Sequence, residues 1–185
     1  MTTTKGKRAV FLDRDGVLNV DNGYVSIVDD FEFIEGAIEA CIKLKEKGYL
    51  LVVITNQSGI ARGYFSEEQF NTLTEWMDWS LVDRGVELDG IYYCPHHAEK
   101  GIGEYKVDCE CRKPKAGMLL TAIDDLNIDV TESILVGDKI SDIQAGQAAG
   151  VKLNYLVKTG KQITSEGEKA ADGIFDDLAS LVETI

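Results

Sequence analysis

The chain is 185 residues long and 44% hydrophobic, with 32 acidic residues against 19 basic ones and a net charge of −13. That length suffices for one domain with a full core, whereas the charge disfavours a surface for nucleic acid or an anionic membrane. No run of about twenty apolar residues offers a membrane span, and Met1 to Lys7 is short and polar, unlike a signal peptide, so a cytoplasmic protein is expected.

Strand-like and helix-like segments alternate along the sequence. This predicts an α/β fold, a Rossmann-like and mainly parallel sheet with helices on both faces, read as a single domain over 1–185. Ala9 to Leu12 is an apolar run suited to a buried strand. It ends on Asp13-Arg14-Asp15-Gly16, where the glycine turns the chain and leaves two acids at the strand mouth. Taken alone, such a pair is the ordinary solvated exit from a strand. Asn19 to Phe33 is a polar and aromatic excursion. The apolar stripe in Glu35 to Lys47 predicts a helix with Cys41 facing the core and Gly48 closing it.

Leu50 to Ile54 is a second strand, with Thr55-Asn56-Gln57-Ser58-Gly59 as the loop at its end. Ser66 and Gln69 form a capping box that opens a helix to about Arg84, on which Trp76 and Trp79 read as packing residues. Ile91 to Cys94 is a third strand, and Pro95 to Cys111 has no period. Ala116 to Leu126 is helical and Ser133 to Val136 is a fourth strand. Ile140 to Ala149 is a helix closed by Gly150, Leu153 to Val157 a fifth strand, and Phe175 to Val182 a closing helix. From Gly160 onward the chain carries no motif.

On this layout the polar motifs all fall at carboxyl ends of strands, which converge on one crevice in an open parallel sheet. Asp13 and Asp138 supply carboxylates for Mg²⁺, a hard cation that takes oxygen ligands. With that charge present, Asp13 becomes a feasible nucleophile toward a phosphate. Thr55 and Asn56 offer a hydroxyl and an amide to the equatorial oxygens, and Lys113 offers the remaining positive charge. Asp15 is then free to protonate the leaving alkoxide and later to deprotonate the attacking water.

A second constellation, Cys94-x-His96 and Cys109-x-Cys111, offers three thiols and an imidazole within residues 94–111. That set predicts a closed tetrahedral zinc site supporting a loop without its own core, with His97 as the alternative imidazole. The loop is an insertion in the one domain, and it leads straight into Arg112 and Lys113. A zinc ribbon that binds nucleic acid is the rival class, which the acidic charge opposes.

These residues resemble the haloacid dehalogenase superfamily of aspartyl-phosphate phosphatases, through Asp13-x-Asp15-Gly16-x-Leu18, Thr55, Lys113 and Gly137-Asp138-x3-Asp142. The resemblance implies Asp13 as nucleophile, Asp15 as general acid/base, and Thr55 with Lys113 on the phosphoryl group. It also implies Mg²⁺ on Asp13, Asp138 and the main-chain carbonyl of Asp15, with Asp142 on the metal or supporting Lys113 or the loop. The zinc loop is similar to that of two subfamilies, the histidinol-phosphate and the heptose-bisphosphate phosphatases. Gly23-Tyr24-Val25, Thr55 to Gly63, Tyr92 to His97, Gly137-Asp138-Lys139 and Lys158-Thr159-Gly160 resemble the latter more closely, as does Ser58, where the former tends to carry an acid.

The implied ligand is a small sugar bisphosphate and the implied protein a monomer; the excursion after the first strand and the zinc loop are both short, so no large cap domain is expected. Asp21, Asn22, Gly23 and Tyr24 would line the sugar side, and Gln57, Ser58, Arg112 and Lys139 would stand near phosphates or hydroxyls. Arg112 is the expected reader of the phosphate that is not transferred, its planar fork suiting two oxygens at once. Arg62 stays unassigned.

Overall fold

The computed structural model describes residues 5–185; the Met1–Thr4 part of the polar leading segment lies outside the described residues. Six parallel strands form one sheet in the order β3-β2-β1-β4-β5-β6. They are β1 (Ala9–Leu12), β2 (Leu50–Asn56), β3 (Gly90–Cys94), β4 (Ile134–Gly137), β5 (Leu153–Val157) and β6 (Gly173–Phe175). The helices are α1 (Ala37–Glu46), α2 (Ser58–Ala61), α3 (Glu67–Asp83), α4 (Gly117–Leu126), α5 (Ile140–Ala148), α6 (Ser165–Ala170) and α7 (Leu178–Val182). No helix among the described residues is long and apolar enough to cross a membrane.

Strand side chains alternate between faces, and here both faces are covered. Val10 and Leu12 pack with Cys41 and Leu44 of α1, Leu73 and Met77 of α3, and Leu181 of α7. Ala9 and Phe11 pack with Leu119 of α4 and Ile143 of α5 on the other face. Cys41 is buried in the first of these clusters, as its place on the apolar stripe predicts.

The chain steps outward from β1 through β2 to β3, then returns to the other side of β1 for β4, β5 and β6. The order reverses between β1 and β4, where Leu12 pairs with Val136. At such a switch point the carboxyl ends of neighbouring strands leave a crevice. Asp13 follows β1 and Asp138 follows β4, so both acids open at that point.

Four expectations need correction. Thr55 and Asn56 are the last residues of β2, not loop residues, because they continue its pairing with Tyr93 and Cys94 of β3. The expected closing helix from Phe175 is an edge strand, β6, followed by α7, which starts where the Asp177 carboxylate accepts the Ser180 N–H at 2.7 Å. The short helices α2 and α6 were not foreseen. Trp76 packs against the core, but Trp79 is 71% exposed. The α3 capping box is present in both directions, Ser66 Oγ accepting from Gln69 N and Gln69 Oε1 from Ser66 N.

Candidate active site

Asp13 is nearly sealed at the end of β1, its N–H donating to Val136 O of β4 at 3.1 Å. Lys113 Nζ stands 3.1 Å from Asp13 Oδ1 and 2.7 Å from Asp142 Oδ1, and also donates to Ile54 O at 2.9 Å. All three protons of that buried ammonium are therefore engaged. Asp142 Oδ2 accepts the N–H groups of Asp138 and Lys139 at 3.0 and 3.1 Å. Asp142 thus supports both Lys113 and the Asp138 loop, and both its oxygens are in use.

One lysine serves two carboxylates unequally. Burial pushes both acids up, but at Asp142 the Lys113 charge and hydrogen bond prevail and hold its pKa below the usual carboxylate range. Asp13 stays well above that range, through burial and the charges of Asp142 and Asp138, against the pull of Lys113. Burial would lower Lys113, but Asp13 and Asp142 keep it raised and charged. Asp138 is raised by burial and by Asp142.

Asp15 is held by different partners. Its Oδ1 accepts from Arg14 Nη2 at 2.8 Å and Asn19 Nδ2 at 3.0 Å, and its Oδ2 accepts from Gln57 Nε2 at 3.1 Å. Arg14 itself is 1% exposed and also donates to Val25 O. Gly16, at φ +88°, makes the turn that returns the chain to Asn19. Neither Arg14 nor Asn19 was singled out from the sequence, although Arg14 stands between the two acids.

Gln57 also donates to Thr55 Oγ1 at 2.8 Å, so that hydroxyl, buried at the end of β2, acts as an acceptor and keeps its own proton to donate. The Asn56 amide clasps the main chain of Lys113, donating to its carbonyl at 3.2 Å and accepting its N–H at 3.1 Å. Asn56 and Gln57 line the cleft as expected. Their side chains position Lys113, Thr55 and Asp15 in place of standing free for a ligand.

Above this floor lies a cleft of about 510 Å³. Asp15, Asp21, Gly23, Tyr24 and Ser58 line it, as do Arg112, Lys113 and Lys139. Asn22 does not: it is exposed at the apex of a turn closed by the Gly23 N–H donating to Asp21 Oδ1 at 3.0 Å. Two cationic cleft residues carry no role from the sequence, Arg62 and Lys161. The Arg62 guanidinium lies 5.7 Å from the centre of the Tyr24 ring, which stacks edge-on against Tyr64. Of the cleft cations, Lys113 and Lys161 are in ion pairs, whereas Arg62, Arg112 and Lys139 are in none among the described residues. Arg62 Nε and Arg112 Nη1 are buried without a hydrogen-bond partner.

The residues at the floor fit a hard cation. Asp13, Asp138 and Asp142 can each bring an oxygen within 4.8 Å of the others. With Asp142 occupied by Lys113 and two amides, Asp13 and Asp138 remain, and Asp138 Oδ1 is buried with no partner. Mg²⁺ takes oxygen donors of this kind, and its charge would favour the ionised forms of both acids against the effect of burial.

The second donor cluster joins the end of β3 to the loop behind it. Cys94 Sγ lies 2.8 Å from Cys111 Sγ and 3.4 Å from Cys109 Sγ, and the latter two are 3.3 Å apart. His96 Nδ1 is 3.5 Å from Cys111 Sγ and 3.8 Å from Cys94 Sγ. These separations approach the roughly 3.7 Å edge of a tetrahedron with Zn–S arms of about 2.3 Å, so the four donors fit zinc. The alternative imidazole, His97, is engaged elsewhere, its Nδ1 accepting the N–H groups of Glu99 and Lys100. Burial raises the Cys94 thiol. Burial also opposes ionisation of Cys109, but hydrogen bonds from Cys111 and Cys94 outweigh it and bring that thiol down to about 7.

Residues 110–181 match the HAD-hydrolase-like family. The chain is 63% identical over 174 residues to the D-glycero-beta-D-manno-heptose-1,7-bisphosphate 7-phosphatase of Haemophilus influenzae, covering 94% of each. It is 59% identical over 181 residues to the protein of the same name from Escherichia coli, covering 98% of this chain and 95% of that one. The crystal structure of a D,D-heptose 1,7-bisphosphate phosphatase from B. bronchiseptica with magnesium and phosphate superposes with a TM-score of 0.81. It is 31% identical, and the match covers 96% of this chain and 97% of that one.

Proposed function

The chain belongs to the HAD-like hydrolases and is a phosphatase, and we propose that its substrate is D-glycero-β-D-manno-heptose 1,7-bisphosphate, from which it removes the 7-phosphate. The observation that carries this reading is the set of cations Arg62, Arg112 and Lys139 in the cleft above Asp13, which are in no ion pair among the described residues. In a chain of net charge −13, cations without carboxylate partners suit a ligand with a second phosphate. The names of the nearly full-length relatives supply the sugar and the anomer.

In the proposed reaction an Asp13 carboxylate oxygen attacks the 7-phosphorus and the bond to the sugar oxygen breaks. Asp15 gives its proton to that leaving oxygen. Water then attacks the aspartyl phosphate, Asp15 takes the water's proton, and phosphate departs as Asp13 is restored. Lys113 holds Asp13 in place and, with the Thr55 hydroxyl, meets the charge on the transferring group. Arg14, Asn19 and Gln57 fix Asp15 so that one carboxyl serves both steps. Asp13, Asp138 and the main-chain carbonyl of Asp15 would hold Mg²⁺, which supplies charge against the incoming phosphoryl group when bound.

Zn²⁺ on Cys94, His96, Cys109 and Cys111 is the structural partner of this scheme, fixing the segment that presents Arg112 and Lys113. Arg112 and Arg62 read the phosphate at carbon 1, with Ser58 and Lys139 beside the sugar, and Asp21, Gly23 and Tyr24 forming the opposite wall. The enzyme would act as a cytoplasmic monomer of one domain, supplying heptose 1-phosphate for nucleotide-activated heptose of lipopolysaccharide core or surface glycan. The test is kcat/KM with Mg²⁺ on the heptose bisphosphate against histidinol phosphate. A preference of at least about a hundredfold for the bisphosphate is expected, and equal rates or the reverse preference would overturn the assignment.

A further inference from the structure

The turn that leaves β5, residues 158–161, encloses one side of Asp138. Lys161 N–H donates to Asp138 Oδ2 at 2.9 Å. Gly160 lies so close that a Cβ there would stand 2.2 Å from the same oxygen. Gly16, from the turn after β1, presses from another direction: its Cβ would lie 2.5 Å from Asp138 Oδ2 and 2.9 Å from Gly160 Cα. The Asp138 carboxylate therefore sits between two glycines of different loops, and no other residue type fits at either. Its Oδ1, by contrast, is buried with no hydrogen-bond partner among the described residues.

Three ties hold that turn in place. Thr159 Oγ1 donates to Gly16 O at 2.7 Å, joining the turn to the Asp13 loop. Lys161 Nζ stands 3.3 Å from Asp21 Oδ2 on the far wall of the cleft. Lys158 N–H donates to Phe175 O of β6 at 3.0 Å, so the edge strand anchors its base.

We propose that the turn Thr159-Gly160-Lys161 is a positioning element for Asp138, fixing Oδ2 by the Lys161 N–H and the glycine contacts so that Oδ1 alone is presented to a divalent cation. This rests on the reading that Asp13 and Asp138 hold Mg²⁺. Residues that orient a ligand carboxylate typically alter metal affinity about 10- to 100-fold when changed, without belonging to the chemistry. Thr159 and Gly160 touch no reacting atom; they act through Asp138.

The experiment is calorimetric titration of Mg²⁺ into the whole zinc-loaded protein, together with the unfolding temperature before Mg²⁺ is added. Thr159→Val should weaken Mg²⁺ binding about tenfold, and Gly160→Ala about a hundredfold, with the Mg²⁺-free unfolding temperature of Thr159→Val unchanged. Thr159→Ser, which keeps the hydroxyl, should bind Mg²⁺ within about twofold of wild type if one hydrogen bond carries the effect. If Gly160→Ala fails to fold, the Thr159 pair decides. Asp138→Asn separates the two layers. Loss of Mg²⁺ binding in Asp138→Asn with wild-type affinity in Thr159→Val would overturn the positioning role alone. Wild-type affinity in Asp138→Asn would overturn the Mg²⁺ reading and this inference with it. Equal Mg²⁺ affinity in Thr159→Val and Thr159→Ser, both below wild type, would also contradict it.

Discussion

Asp13 and Asp138 follow two adjacent parallel strands whose pairing runs to Leu12 and Val136, with the Asp13 N–H still bonded to Val136 O. Cys94, His96, Cys109 and Cys111 instead gather at the end of one strand and along a segment whose regular structure is a single 3₁₀ turn at Gly103–Tyr105. The sheet holds the acids close together and out of water, so burial first, and the charge of Asp142 beside it, raise both. The thiols and imidazole have little scaffold behind them beyond Glu67, which accepts from Tyr93 of β3 at 2.7 Å and from Tyr105 of the loop at 2.8 Å. A site built on a sheet keeps its shape without its ion; a loop built around donors depends on the ion for its shape.

The largest effect should come from Asp13→Asn, which removes the nucleophile and leaves the scaffold alone. Phosphatase activity should fall on the order of 10⁴-fold or more, and the unfolding midpoint should not fall, because a neutral isostere removes the burial cost and the repulsion from Asp142 and Asp138, which together outweigh the lost attraction to Lys113. A comparable drop in stability would mean that the acid also holds the sheet together. Next comes the other cluster. A zinc-free Cys109→Ala/Cys111→Ala protein should show fast amide exchange across 95–111 while amides of β1 and β4 stay protected. KM for the bisphosphate should rise about tenfold or more as Arg112 loosens. Full activity in a verified zinc-free sample would break the link between the loop and the cleft.

Arg62→Gln should act more narrowly. Losing one arm on the carbon-1 phosphate should raise KM for the bisphosphate about tenfold, in line with a hydrogen bond to a charged group. Hydrolysis of heptose 7-phosphate, which lacks that phosphate, should stay unchanged. Equal losses on both substrates would place Arg62 in the shared machinery. The smallest effect concerns pH. Hydrogen bonds from Tyr93 and then Tyr105 hold Glu67 below the usual carboxylate range. A depressed acid contributes stability above its unfolded pKa and loses it as pH falls through the folded one. Exchange at Ile102 to Tyr105, corrected for intrinsic rates, should therefore be flat from neutrality down to about pH 4 and rise below it. Glu67→Gln should show the raised rate already at pH 7, and identical profiles would remove Glu67 as the anchor.

The convergence of Asp13, Asp15, Thr55, Lys113 and Asp138 was legible because strand ends of a parallel sheet meet, and the strands themselves read as apolar runs. The Cys/His cluster was legible from spacing, but spacing does not distinguish His96 from His97. That choice depends on the turn that spends His97 Nδ1 on two amides. Asn56 and Gln57 could be placed at the cleft, although nothing local reveals that their amides serve Lys113, Thr55 and Asp15. Lys161 and the glycine contact at Asp138 depend on a turn meeting Gly16 across more than a hundred residues of sequence, where no periodicity reaches. β6 is only three residues long and shows no alternation by which to know it.

The most direct test of the account follows D-glycero-β-D-manno-heptose 1,7-bisphosphate by phosphorus NMR in the presence of Mg²⁺ and wild-type protein, with Asp13→Asn beside it. The 7-phosphate signal should vanish into inorganic phosphate while the 1-phosphate persists, and the Asp13→Asn sample should not change. Release from carbon 1, release from neither position, or turnover surviving in Asp13→Asn would contradict it.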